Sequence, residues 1–213
     1  MAEVTAIDAR VRAVLTDYEA REQQEHELFA QLTDEEAARR VDEMLLAVGP
    51  ASGLLLNLLI KEMGARQILE VGSSYGYSTT WLAEAARATS GRVTSLELVA
   101  AKTEYATAQL QRAGLNGYVR FEIGDALESL RRLPGPFDFV LIDLWKNLYV
   151  PVFESVYPKL APGAILVADN MLEPPSARVH ARAYRERVRS AAEMSSVLLP
   201  VGKGLEVSRF RSG

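Results

Sequence analysis

The stretch ILEVGSSYGYS, residues 68–78, decides how this chain reads. Ile68-Leu69-Glu70-Val71 is a short β-rich run, Gly72 and Gly76 bracket a turn, and a helical pattern follows. In an open α/β sheet, ligands bind beyond the carboxyl ends of the strands, where a glycine turn lets backbone approach them. The spacing is G-x-x-x-G, which differs from the G-x-G-x-x-G of dinucleotide binders, and no lysine occupies a P-loop position.

Working outward, β-rich runs at 67–71, 92–96, 119–123, 137–142 and 164–168 alternate with helical runs at 79–88, 100–113, 126–131 and 149–159. This grammar implies right-handed crossovers and a parallel sheet covered on both faces. After a helix near 177–191 come two further runs, 196–200 and 205–210. The four residues between them, Val201-Gly202-Lys203-Gly204, are too few for a crossover and suit a hairpin. The expected fold is therefore α/β and doubly wound, with seven mostly parallel strands and the last one antiparallel.

Upstream, Ile7, Val11, Val14, Leu15 and Tyr18 recur at helical spacing before the pattern turns polar through Glu27. Thr33-Asp34-Glu35-Glu36 has the form of a capping box. Gly49-Pro50 breaks the chain, and a second helix at 50–63 is stopped by Gly64. One domain over 1–213 is expected, with 1–64 as a helical cap and 65–213 as the α/β core.

Composition narrows the function classes. Formal net charge is -4, with acids and bases interspersed, which disfavours a nucleic-acid partner. The longest apolar run, 54–60, is short and interrupted by Asn57, so no membrane span is expected. The first residues lack the apolar core of a secretory signal, and a cytoplasmic location is expected. The absence of cysteine removes disulfides, thiolate catalysis and Cys-type zinc sites. His26 and His180 lie far apart in charged surroundings and read as surface residues.

Three strands in succession end in an acid. Glu70 lies at the end of the first. Glu97 ends the second, somewhat beyond the ~20-residue offset at which an acid commonly meets a ribose diol. Asp125 follows the third and has the placement to approach an adenine edge. The bland alternative for Glu97 is a solvated strand end.

The fourth and fifth strands end in Asp143 and in Asp169-Asn170. On adjacent strands these residues would gather at one rim as a hard oxygen site of the kind Mg²⁺ prefers. The alternative is that either acid merely caps a following helix. Lys146 stands three residues after Asp143 and can face the same pocket, either as a general base for a phenol or as a solvated surface lysine. Trp145 can wall a flat ligand or belong to the core.

From about Met44 to Arg211 the chain resembles the catechol O-methyltransferases and their bacterial cation-dependent relatives. The resemblance is carried by ILEVGSSYGYS, by Glu97, by IDLWKNLYVP (142–151) and by VADNMLEPP (167–175). It implies a Rossmann-like methyltransferase sheet and transfer of a methyl group from S-adenosylmethionine to an aromatic vicinal diol. It implies a divalent cation, Mg²⁺ or another, held by Asp143, Asp169 and Asn170, with Lys146 as catalytic base. It places the methyl donor among Val48, Glu70, Gly72, Ser74, Gly76, Ser78, Glu97, Leu98, Asp125, Ala126, Asp143 and Trp145. The acceptor falls to Met44, Trp145, Lys146, Asn170 and Pro174.

The departures bear on the acceptor. Leu144 replaces a histidine of the mammalian enzymes, and Met44 replaces their substrate-facing tryptophan. Val197 stands where their late glutamate would align, and Ser74 where the family often has tyrosine. The loop after Asn170 is shorter than in caffeoyl-coenzyme A methyltransferases. Rival readings are a metal-independent methyltransferase on the same fold and a non-catalytic S-adenosylmethionine-binding module. A homodimer is compatible with the resemblance.

Overall fold

Gln67–Val71 forms β1 in a seven-stranded sheet of order β3-β2-β1-β4-β5-β7-β6. The other strands are β2 (Arg92–Glu97), β3 (Val119–Ile123), β4 (Phe137–Ile142), β5 (Leu160–Ala168), β6 (Met194–Leu199) and β7 (Leu205–Phe210). The computed structural model describes residues 7–33, 35–36, 40 and 43–211. Strands β1 to β5 pair in parallel, and β7 runs antiparallel to both β5 and β6, as the short 201–204 connection requires. From β1 the chain winds outward through β2 and β3, then returns to β4 on the other side. The β1–β4 junction is therefore the topological switch point, where such sheets bind ligands.

Helices α1 (Ala9–Phe29), α2 (Pro50–Met63), α3 (Tyr77–Thr89), α4 (Ala100–Ala113), α5 (Ala126–Arg132), α6 (Tyr149–Val156) and α7 (Arg178–Ser190) cover the sheet. Alternation along β4 sorts the two faces. Val140 and Ile142 pack with Leu130 of α5, Val152 and Phe153 of α6, and Tyr184 and Val188 of α7. Phe139 and Leu141 pack on the opposite face with Leu56 and Ile60 of α2 and Leu82 and Ala86 of α3. The period-3.6 stripe read in the first helix is the buried one: Val11, Val14, Leu15 and Tyr18 of α1 pack on Tyr77 and Trp81 of α3 and Leu110 of α4.

Thr33 and Glu36 make the reciprocal capping-box bonds, amide to carboxylate at 2.9 Å and amide to hydroxyl at 3.3 Å. Asp34 of that box lies outside the described residues, as do residues 1–6 of the expected cap. Two element boundaries differ from expectation by three residues or more, and the others by two at most. β5 begins at Leu160 rather than 164, because the strand continues through Pro162 and Gly163 with a register shift between Phe137 and Phe139. The helix expected through 159 ends at Val156 and tightens into a 3-10 turn over Tyr157–Lys159, where Pro158 supplies no amide. His26 and His180 are exposed, as expected.

Asn57, the polar interruption of an apolar run, has a structural reason. Its buried amide donates to the Trp81 carbonyl at 2.9 Å and to Glu84 Oε2 at 2.6 Å, and Lys61 also pairs with Glu84 at 2.6 Å. These bonds lock α2 to α3, the helix that leaves the glycine turn. Replacing Asn57 with Leu strands a buried acceptor. The expected cost is about 1–3 kcal/mol, read as a lower urea midpoint. An unchanged midpoint would show that the lock is dispensable.

Candidate active site

The turn after β1 holds its shape through glycine and through two acids. Gly72 has φ +94°, and a Cβ there would lie 2.1 Å from the Asp143 carbonyl oxygen. Gly76, at φ +92°, caps α3 against Ala106. Ser74 between them also takes a left-handed conformation, at φ 47°. Its amide donates to Glu97 Oε2 at 2.8 Å, while Glu97 Oε1 accepts from the Val99 amide at 3.0 Å. Glu97 thus ties the end of β2 to the turn beside it, which a solvated strand end would not do.

Glu70 works from underneath. It is wholly buried and accepts from the hydroxyls of Ser78, Thr79 and Ser95, each at 2.6 Å. Burial pushes its carboxyl up to about 7, against the opposing pull of those three hydroxyls. Ser78 gives its hydroxyl to Glu70, so both residues brace the turn from the interior. Asp125 is the N-cap of α5, with Oδ1 accepting from the Glu128 amide at 2.9 Å, and Ala126 is the first residue of that helix. Leu98 (65% exposed) and Trp145 (52% exposed) stand free at the rim on either side of the turn.

Helix α1 secures the same turn from outside. Tyr18 OH donates to the Tyr75 carbonyl at 2.6 Å, and the Arg21 guanidinium lies 4.0 Å above the Tyr75 ring. Glu25 accepts from Arg21 Nε at 2.6 Å and from the Leu45 amide at 2.7 Å. That pair anchors the segment carrying Met44 and Val48, both buried.

On the β4–β5 side the side chains of Asp143, Lys146 and Asn170 do meet, and Asp169 is tied to them through its carbonyl. Lys146 Nζ donates to Asp143 Oδ1 at 3.2 Å, to Asn170 Oδ1 at 2.7 Å and to Tyr149 OH at 2.5 Å. Tyr149 OH in turn donates to the Asp169 carbonyl at 3.2 Å. Asn170 reaches in from a left-handed backbone at φ 57°. Neither acid caps a helix: Trp145 is the N-cap of the 3-10 turn Lys146–Leu148, and Pro174 that of the turn Pro175–Ala177. Asp169 is buried, and its Oδ1 has no hydrogen-bond partner. Burial and the neighbouring Asp143 charge raise its carboxyl above the ordinary range. Pro174 is exposed two residues beyond Leu172.

Two carboxylates and an amide oxygen, one carboxylate oxygen being buried and unsatisfied, fit a hard divalent cation. No cluster of three or more His, Cys, Asp or Glu occurs among the described residues, so the Asn170 amide is needed to complete the donor set. Tyr149 was not foreseen from the sequence. Its signal was the i+3 spacing from Lys146, which puts both on one face of the turn.

With this geometry in view, the likeness to known proteins is informative. The O-methyltransferase family model matches residues 19–209. A catechol O-methyltransferase of Mycobacterium tuberculosis is 39% identical over 60% of this chain and 58% of its own length. One of Niastella koreensis is 36% identical over 60% of this chain and 59% of its own. The chain thus spans under two thirds of those two relatives. An O-methyltransferase from Bacillus cereus, solved in complex with SAH, is 28% identical with a TM-score of 0.76, over 98% of this chain and 94% of that one.

Glu70 generates a pH prediction. The folded carboxyl keeps its proton up to about pH 7, whereas its ordinary value is 4.5. The folded state is therefore penalised progressively as pH rises through that window, and uniformly above it. Relative to Glu70→Gln, the wild type should lose stability between those two values and then level off, as read by urea midpoints across pH. A difference independent of pH would show that Glu70 is ionised throughout.

Proposed function

The chain belongs to the O-methyltransferase family, and we propose that it moves the sulfonium methyl of S-adenosylmethionine to one hydroxyl of a catechol-like vicinal diol with the help of a divalent cation. The observation that carries this reading is Lys146 Nζ lying between Asp143 Oδ1 and Asn170 Oδ1 at adjacent strand ends. The relatives named catechol O-methyltransferase support the acceptor class.

The methyl donor lies along the glycine turn in this reading. Glu97, already oriented by two backbone amides, accepts from the ribose hydroxyls with its remaining lone pairs. Gly72 and Ser74 let backbone approach the ligand, while Glu70 and Ser78 hold that backbone from below. Leu98 and Ala126 border the adenine, and Trp145 offers an exposed flat face at the rim.

A phenol has a pKa near ~10, so its hydroxyl is mostly protonated at neutral pH. A divalent cation held by Asp143, Asp169 and Asn170 would supply the positive charge that favours the phenolate. Lys146 Nζ is the group placed to take the hydroxyl proton. The oxygen then bonds to the methyl carbon as the carbon–sulfur bond breaks, leaving S-adenosylhomocysteine. Tyr149 and Asn170 fix the position of Nζ for that transfer. Holding oxygen and methyl in line supplies much of the acceleration.

One observation favours a second reading. Lys146 Nζ already occupies two of the three oxygen donors, as it would in an enzyme that needs no metal.

Lys146→Ala should lower turnover on a catechol by about 10²–10⁴-fold, the usual worth of general-base help, while leaving methyl-donor affinity unchanged. Near-normal turnover would remove the base assignment. Glu97→Ala should weaken donor binding by about 1.5–3 kcal/mol, measured by calorimetry. Unaltered affinity would contradict its role at the ribose.

A further inference from the structure

Beside the Lys146 cluster lies a groove that the proposed reaction does not use. Its volume is about 400 Å³, and it is lined by Met171, Leu172, Glu173 and three arginines of α7, Arg178, Arg182 and Arg185. Its first wall follows Asn170 directly in the chain. Its second belongs to a helix that packs against the turn carrying Lys146.

The charge in this groove is unusual for the chain. Helix α7 carries five arginines and one glutamate within a protein of net charge -4. Arg187 pairs with Glu154 and Arg189 with Glu206, both away from the groove. Arg182 pairs with Glu186 at 2.7 Å. Arg178 and Arg185 form no ion pair among the described residues, and both line the groove. Arg185 Nε is buried with no hydrogen-bond partner, a donor that costs free energy until an acceptor arrives. Arg178 is the first residue of α7, whose first turn contains no acid. A cation there opposes the helix dipole, and an anion would reverse the sign of that interaction. With Glu186 paired to Arg182, Glu173 subtracts a further charge and the three arginines keep a net excess of one.

We propose that this groove receives an anionic group, a carboxylate or a phosphate, attached to the methyl acceptor. The natural acceptor would then be an acidic aromatic diol rather than a neutral one. The guanidinium groups of Arg185 and Arg178 supply the bonds, and Met171 and Leu172 cover the apolar part between ring and anion. From Arg178 to Arg185 the helix rises about 10 Å, at about 1.5 Å per residue, enough for anions at different distances from the ring. This inference rests on the reaction proposed at Lys146, so its test carries a readout that needs no turnover.

Methyl transfer would be compared for 3,4-dihydroxybenzoate, a catechol bearing a phosphate ester, and 4-methylcatechol as the neutral control. The proteins are wild type, Arg178→Ala and the double variant Arg178→Ala/Arg185→Ala. Arg178 is exposed, so its single variant guards against a folding defect in the double one. For at least one acid, kcat/KM should fall at least about tenfold through KM, the scale of one lost bond to a charged group, with the neutral acceptor unaffected. The acid that loses more identifies carboxylate or phosphate as the preferred group. Equal losses for neutral and acidic acceptors, or no loss for either acid, would overturn the proposal. Calorimetric binding of the same two acids is measured in parallel. Arginine-dependent binding without any transfer would leave the groove standing and reject the reaction. Arginine-independent binding would reject the groove.

Discussion

The contact between Gly72 and the Asp143 carbonyl is the constraint on which the site depends. No side chain fits there, because a Cβ would lie 2.1 Å from the oxygen. Backbone bonds extend that constraint across the rim: Gly72 to Leu96 at 3.0 Å, Asp143 to Val71 at 2.9 Å, and Asp169 to Ile142 at 3.1 Å. Each residue just past a strand end is thereby bonded to the neighbouring strand. The glycine turn with Glu97 on one side, and Asp143, Lys146, Asp169 and Asn170 on the other, form one rigid edge. In the proposed reaction, relative placement of donor and acceptor then follows from sheet register and not from loop flexibility, as an in-line transfer requires.

Two buried acids near this edge illustrate how environment divides structure from chemistry. Glu70 has three hydroxyl donors and is closed to solvent, so its oxygens are spent on holding α3 and β2 to β1. Asp169 is as deeply buried, yet one of its oxygens has no partner. Buried polar atoms are ordinarily satisfied, and an exception calls for a ligand or a strained function. The contrast fits a scaffold role for Glu70 and leaves Asp169 as the acid with an oxygen to offer. Helix α1 adds a further restraint, since Tyr18 and Arg21 grip Tyr75 in the turn itself.

Much of this was legible in the sequence because it is local. A strand of five or six residues, a glycine turn and an acid at the strand end all lie within one short window, and parallel topology then brings the windows together. Asp143, Lys146 and Asn170 converge for that reason. What was illegible depends on contacts between distant residues. Ser95 reaches Glu70 across a strand pair, and Tyr149 bonds to Lys146 and to the backbone of Asp169 on another strand. The start of β5 was hidden by Pro162 and Gly163, which read as breakers but sit in the strand beside an irregular pairing. In the sequence the arginines of α7 are only the charged surroundings of His180. Only the pairing pattern, with Arg178 and Arg185 left without acids, distinguishes the groove side from the rest.

The most direct measurement is methyl transfer from S-adenosylmethionine to catechol and to a simple phenol, each with Mg²⁺ and with EDTA. Transfer selective for catechol, abolished by EDTA and restored by the metal, is the predicted result. Equal transfer to phenol, or transfer that survives chelation, would contradict metal chelation of a vicinal diol and leave Asp143 and Asn170 as partners of Lys146 alone.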